Sequence, residues 1–181
     1  MAEFFTGRGD DGTTGLLGPE RIPKHHPRAE AMGAVDEAAA ALGLARALLT
    51  DESLRSTLLD AQRDLYHLMA EVAAPGEAAG RFRVIDAARV AWLEDEIRRL
   101  SHGLRVPSGF VVGGDSPPGG ALDLARTVVR RAERRLAGLV DDGQVENVQL
   151  LRYLNRLSSL CFVMILAEYQ RSGIDPTPAR R

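Results

Sequence analysis

Arg126, Arg130 and Arg134 stand four residues apart, in the run ARTVVRRAER, and Glu133 falls on the same side. On a helix this spacing stacks three guanidiniums along one face, opposite a Leu/Val/Ala stripe, with a carboxylate to orient them. Like charges at that spacing oppose an isolated helix, so such a row points to an anionic partner. A planar guanidinium suits phosphate because its fork makes two parallel hydrogen bonds. A second reading fits the spacing equally: a solvated basic face, with Asp123 and Glu133 as local partners.

A second cluster lies in the leader FTGRGDDGTTG. Gly7, Gly9 and Gly12 spell a dinucleotide fingerprint, but no strand fits before Gly7, and Gly15, Gly18 and Pro19 stop a helix from following. No Gly-Lys-Ser/Thr closes the loop, which excludes a P-loop. What remains is a segment whose glycines let backbone N–H groups approach an anion. Thr6, Thr13 and Thr14 can add hydroxyls and Lys24 a point charge. The competing reading is a flexible tail.

Other reactive side chains carry less. Asn155 is a polar residue in an otherwise apolar helix and needs partners, which a core amide also finds. His25 and His26 are adjacent, and Asp64-x-x-His67 lacks the repeated Glu-x-x-His of a di-iron bundle. No metal site is expected from the protein alone. Cys161 sits in the apolar run LCFVMILA with nothing near to activate it. No Ser/His/Asp arrangement supplies a nucleophile.

These groups need elements to hold them. Met1–Pro27 has no periodicity and is expected to be a functional loop. Five helical stretches follow, over about 28–49, 51–74, 84–104, 121–140 and 145–171, with apolar positions alternating three and four apart. Val106–Gly120 is a Gly/Pro connection with a short β-type run. No strand alternation and no long repeat appear. The expected fold is all-α: a five-helix bundle, four main helices plus one, with an N-terminal nucleotide-binding loop. Its parts are the loop over 1–27, the bundle over 28–172 and a disordered tail over 173–181.

Composition agrees. Of 181 residues 45% are apolar, 27% charged and only 5% aromatic, a mix that favours helices. A net charge of −2 excludes a globally basic nucleic-acid binder. The apolar run Leu160–Ala167 is far short of the roughly 20 residues of a membrane span. The N-terminus lacks the pattern of a signal peptide. A cytoplasmic protein that binds neither nucleic acid nor membrane is expected.

Five blocks in order carry a resemblance. They are FTGRGDDGTTGLLGPERIPKHHPR (Phe5–Arg28), AMGAVDEAAAALGLA (Ala31–Ala45), FVVGG (Phe110–Gly114), ARTVVRRAER (Ala125–Arg134) and YLNRLSSLCFV (Tyr153–Val163). Together they resemble the ATP:cob(I)alamin adenosyltransferases of the trimeric propanediol-utilisation type. The resemblance implies a homotrimer with active sites between subunits. It implies ATP held by Thr6, Gly9, Asp10, Gly12, Thr14 and Lys24, with Gly7, Arg8 and Gly15 completing the loop. Arg130 and Arg134 would hold the leaving triphosphate, with Glu133 and Asn155 nearby. Asp36 would pair across the subunit boundary with Arg126, and Phe110 would lie against the corrin.

The implied reaction is attack of cobalt(I) in cob(I)alamin on the 5′-carbon of ATP, with Mg2+ sharing the phosphate charge. Hand-off of the product to an adenosylcobalamin-dependent enzyme would follow. The alternative on the same fold is a module that binds ATP or adenosylcobalamin without turnover. Departures from the family pattern are Gly7 and Arg8 in place of Lys or Arg then Thr, and His25 and His26 where acidic residues are common. Gly113 replaces a proline and Ser159 an aspartate, and the tail lacks an aromatic.

Overall fold

The computed structural model describes residues 4–180. Met1–Glu3, which open the expected loop, and Arg181, which ends the expected tail, lie outside the described residues. Five α-helices make the bundle: α1 (Pro27–Leu48), α2 (Glu52–Ala73), α3 (Ala87–Ser101), α4 (Pro117–Asp141) and α5 (Val148–Arg171). A 3₁₀ segment, Gly76–Phe82, joins α2 to α3.

Each α-helix starts where a side chain can accept from a free backbone N–H. His26, Asp51, Asp86, Ser116 and Asn147 cap α1 to α5 in turn. These caps explain where the expected boundaries shift. Asp86 accepts from Arg89 N at 2.9 Å, so α3 begins there rather than at Val84. Ser116 and Pro117 start α4 one turn before the expected Ala121, because proline at the first position sacrifices no hydrogen bond.

The core is built of Leu, Ala and Val. On α1, Ala31, Ala34, Ala38, Ala41 and Ala45 are buried at spacings of three and four, a small-residue face that lets α4 approach closely. Around the bundle, α1 packs on α2 and α4, α4 on α5, and α5 on α3. The apolar α5, long and apolar enough to cross a membrane, is instead mostly buried within the bundle. Buried Asp64 on α2 accepts from Tyr153 OH at 2.5 Å and Arg89 Nε at 2.6 Å, tying α2, α3 and α5. Burial and that carboxylate push the Tyr153 phenol well above its ordinary range.

Arg28 ties the leader's exit to the frame. Buried, with its guanidinium pulled below its usual pKa by desolvation, it donates to Val72 O at 2.5 Å and Gln144 O at 2.8 Å. The bond from Arg28, at the start of α1, to Gln144, just past α4, together with the pairing of Glu37 with Arg131, shows that α1 and α4 run antiparallel. The start of α1 therefore adjoins the end of α4.

Two expectations are corrected. The leader is not strand-free: β1 (Thr13–Gly15) pairs antiparallel with β2 (Arg21–Pro23), Thr14 opposite Ile22. Three-residue strands are too short to show alternation, and Ile22 alone turns inward. The tail is not disordered over its described residues. Val112 N donates to Thr177 O and Ala179 N to Phe110 O, each at 2.8 Å, so the β-type run after α3 finds its partner there.

Candidate functional site

The leader folds by successive turns. Gly7 and Gly12 take left-handed φ of 66° and 79°, which glycine adopts without strain. Asp10 N donates to Gly7 O at 3.1 Å and Gly12 N to Gly9 O at 3.2 Å. Lys24 N then donates to Gly12 O at 2.9 Å, laying the Lys24 side chain across Gly9; a Cβ on Gly9 would lie 3.2 Å from Nζ.

Arg21 organises the inside of this curl. It donates to Thr13 Oγ1 at 3.0 and 2.7 Å and to Arg8 O at 2.6 Å. Thr13 in turn donates through N–H and O–H to Asp11 Oδ1, at 2.9 and 2.7 Å. These two bonds, with Arg21 beside them, hold the Asp11 carboxyl below the ordinary carboxylate range. Thr13 is thus consumed internally. Thr6 Oγ1 accepts from Arg8 N at 3.4 Å, while the Arg8 and Lys24 cations have no ion-pair partner among the described residues. A curl with spare N–H groups and two uncommitted cations is equipped for an anion.

The second half lies on α4 and α5. Arg126 Nε donates to Asp123 Oδ1 at 2.8 Å, so one local partner of the solvated reading is real. Arg134 Nη1 turns back to Arg130 O at 3.0 Å. Of the three arginines, Arg130 alone has a side chain with no bond among the described residues, and it is exposed. Asn155 is half-buried and satisfied: it donates to Glu133 Oε1 at 2.8 Å and accepts from Arg156 Nη1 at 2.9 Å. Arg156 continues to Glu94 Oε1 at 2.9 Å, so a polar chain from α4 through α5 to α3 fixes Glu133 beside the row.

At the far end of the row stands the α3–α4 loop. Phe110 is 88% exposed, too much for an aromatic with only a packing role. It lines a cleft of about 520 Å³ together with Gly113, Asp123, Arg126, Phe162 and Ile165. A larger cleft of about 820 Å³ opens on its other side, between the loop and the tail. Gly113 packs closely on the side chain of Asp123. A Cβ there would lie 2.5 Å from Asp123 Oδ2, against the carboxylate that holds Arg126.

The fold therefore joins Phe110, Arg126, Arg130, Glu133, Arg134 and Asn155 along one face. It does not join the leader residues Thr6, Gly7, Arg8, Gly9, Asp10, Gly12, Thr14, Gly15 and Lys24 to that face within the chain. No hydrogen bond or ion pair between the two is present among the described residues. Asp36 is exposed on α1, and the partner of Arg126 within the chain is Asp123 rather than Asp36. Sequence reasoning missed Arg21, Arg156 and Phe162. Arg156 follows Asn155 directly, and Phe162 lies a near-integral two turns beyond it, which were the available signals. No group of three or more His, Cys, Asp or Glu able to hold a metal occurs among the described residues.

Comparison with known proteins shows the family of the chain. The family model described as cobalamin adenosyltransferase matches residues 4–168. The corrinoid adenosyltransferase PduO of Salmonella typhimurium is 38% identical over 166 residues, 91% of this chain and 49% of that protein. The chain thus spans about half the length of that relative. The cobalamin adenosyltransferase of Cupriavidus metallidurans is 38% identical over 170 residues, covering 91% of this chain and 86% of the relative. Among solved structures, a variant PduO-type ATP:corrinoid adenosyltransferase from Lactobacillus reuteri, complexed with cobalamin and ATP, superposes with a TM-score of 0.91. It is 27% identical and covers 99% of this chain and 97% of its own. By family model, sequence and fold, the chain belongs to the cobalamin adenosyltransferase family.

Proposed function

We propose that the chain transfers the 5′-deoxyadenosyl group of ATP to the cobalt(I) of a reduced corrinoid, releasing triphosphate. The observation that carries this reading is the single face running from the Phe110 cleft through Arg126 to Arg130, Glu133 and Arg134. A flat apolar macrocycle suits one end of that face and a polyphosphate the other. Cobalt(I) is itself a strong nucleophile, so the reaction needs no side-chain base. The absence of a catalytic dyad among the described residues is in keeping with that.

The protein's work is alignment and charge neutralisation. Holding the 5′-carbon in line with the attacking cobalt converts an encounter of two molecules into a step within one complex. Negative charge grows on the departing triphosphate, and a guanidinium fixed beside it favours the transition state over the ground state. Arg130 is free to take that role, Asn155 holds Glu133 in place beside the row, and Arg134 buttresses the backbone of Arg130. Mg2+ would be held chiefly by phosphate oxygens and water, its usual mode, since the described residues form no protein cage for it.

A homotrimer completes the site. Arg8 and Lys24 of the leader would close over the arginine row of a neighbouring copy, and Asp36 would meet Arg126 there. Exposed apolar side chains support such an interface: Leu44 on α1 and Leu124 on α4 are about half exposed. The register set by Arg131 and Glu37 brings those two opposite each other. We place the protein in the cytoplasm, where reduced corrinoid and ATP meet, with hand-off of product to an adenosylcobalamin-dependent enzyme.

The test is anaerobic. Wild-type protein with chemically reduced cobalamin and MgATP should convert the cobalt(I) spectrum to that of an alkylated corrinoid over many turnovers. Tight ATP binding without that conversion would instead mark a non-catalytic binder.

A further inference from the structure

Residues Phe110–Asp115 carry the exposed aromatic, yet little of the bundle holds them. Between Arg105, whose N–H donates to Gln170 Oε1 at 2.9 Å, and Phe110 no backbone hydrogen bond fixes the loop among the described residues. Its anchors come from the end of the chain. On the inner side, Tyr169 OH accepts from Gly114 N at 3.3 Å and Asp115 N at 3.1 Å. Gly119 leaves room for that tyrosine, since a Cβ at 119 would overlap its ring.

On the outer side the chain turns at Gly173, with φ of 68°, and runs back past the loop. Val112 and Ala179 donate to Thr177 and Phe110, and Val111 bridges Pro178. Asp115 then clamps one residue with both oxygens. Oδ2 accepts from Thr177 N at 2.9 Å and Oδ1 from Thr177 Oγ1 at 2.6 Å. The Thr177 hydroxyl, with its N–H, holds the Asp115 carboxyl below the ordinary carboxylate range, so the clamp is made with the ionised form.

We propose that the Asp115–Thr177 clamp sets the position of Phe110, making both residues positioning residues for corrinoid binding. This rests on the reading of the chain as a corrinoid adenosyltransferase. The two side chains of the clamp are exposed and bond only to each other and to the Thr177 N–H. The one tie to the core, from Asp115 N to Tyr169 OH, is a backbone bond that substitution of either side chain leaves in place. What the clamp does is pair the tail with Phe110–Val112, at the point where the two clefts meet. Without it the loop must be ordered when the corrinoid arrives, and that ordering weakens binding. Of the arginine row only Arg126 borders the Phe110 cleft; Arg130, Arg134 and the leader line neither cleft, so ATP binding is left alone.

Thr177→Val keeps the shape and removes the hydroxyl, Thr177→Ser restores it, and Asp115→Asn weakens the acceptor. Each would be compared with wild type in full-length protein. Three measurements apply: amide exchange at Val112 and Ala179, thermal unfolding, and KM for cob(I)alamin and for ATP. Thr177→Val and Asp115→Asn should exchange faster at both amides with an unchanged unfolding temperature. Their KM for corrinoid should rise about tenfold, as loss of about 1.4 kcal/mol of preorganisation gives, with KM for ATP unmoved. Thr177→Ser should match wild type. Wild-type exchange in Thr177→Val would overturn the clamp. Faster exchange with an unmoved corrinoid KM would overturn its positioning role. If wild type forms no adenosylated corrinoid, the proposed function fails instead, and exchange alone still decides whether the clamp exists.

Discussion

Replacing Arg130 with alanine separates chemistry from folding more cleanly than any other change in the chain. The side chain is exposed and makes no hydrogen bond or ion pair among the described residues; only its carbonyl is used, by Arg134. Removing it should leave stability within about 0.5 kcal/mol, as for surface positions with no special contact. On the proposed assignment, what is lost is a charge-assisted hydrogen bond to a leaving group that gains charge, worth about 1.5–3 kcal/mol. At about 1.4 kcal/mol per tenfold, that is a fall of roughly 10- to 150-fold in kcat/KM for ATP. Arg130→Lys keeps the charge but not the planar fork and should fall between the two. Anaerobic initial rates at varied ATP, with unfolding curves for each variant, provide the assay. Activity within threefold of wild type in Arg130→Ala, at an unchanged unfolding temperature, would refute the assignment.

Other expectations follow from the same geometry. If each site joins the leader of one copy to the arginine row of another, trimers assembled from equal parts Lys24→Ala and Arg130→Ala should regain about a quarter of the wild-type sites. No recovery would place the two halves in one chain. Gly119→Ala should destabilise by about 1–3 kcal/mol, because Tyr169 is only 1% exposed and has nowhere to retreat. Its unfolding temperature reads that directly. Cys161, its thiol pushed up to about 12 by burial, stays protonated through neutral and mildly alkaline pH. It should resist iodoacetamide at pH 8 until denaturant is added, and rapid labelling of native protein would contradict its burial.

The bundle was legible because Leu and Ala recur at three and four along each helix, and a buried stripe needs nothing more. The arginine face was legible for the same reason, since four-residue spacing is a geometric statement. The hairpin at Thr13–Gly15 and Arg21–Pro23 escaped notice because three residues cannot display a period of two. The tail escaped because its bonds run to Asp115, 62 positions away, and local composition says nothing about a partner at that distance. Asp123 and Glu133 were both visible as local partners of the row, and the structure pairs Arg126 with Asp123 and Glu133 with Asn155. The relation between the leader and the row is invisible in the sequence for a further reason. Among the described residues no hydrogen bond or ion pair joins the two.

The central claim is that ATP is cut at its 5′-carbon and leaves an intact triphosphate against the arginines. A phosphorus NMR spectrum of a quenched anaerobic reaction, read beside the absorbance of the same sample, tests it most directly. One triphosphate for each alkylated cobalt is the predicted result. ADP with phosphate, or AMP with diphosphate, would contradict it.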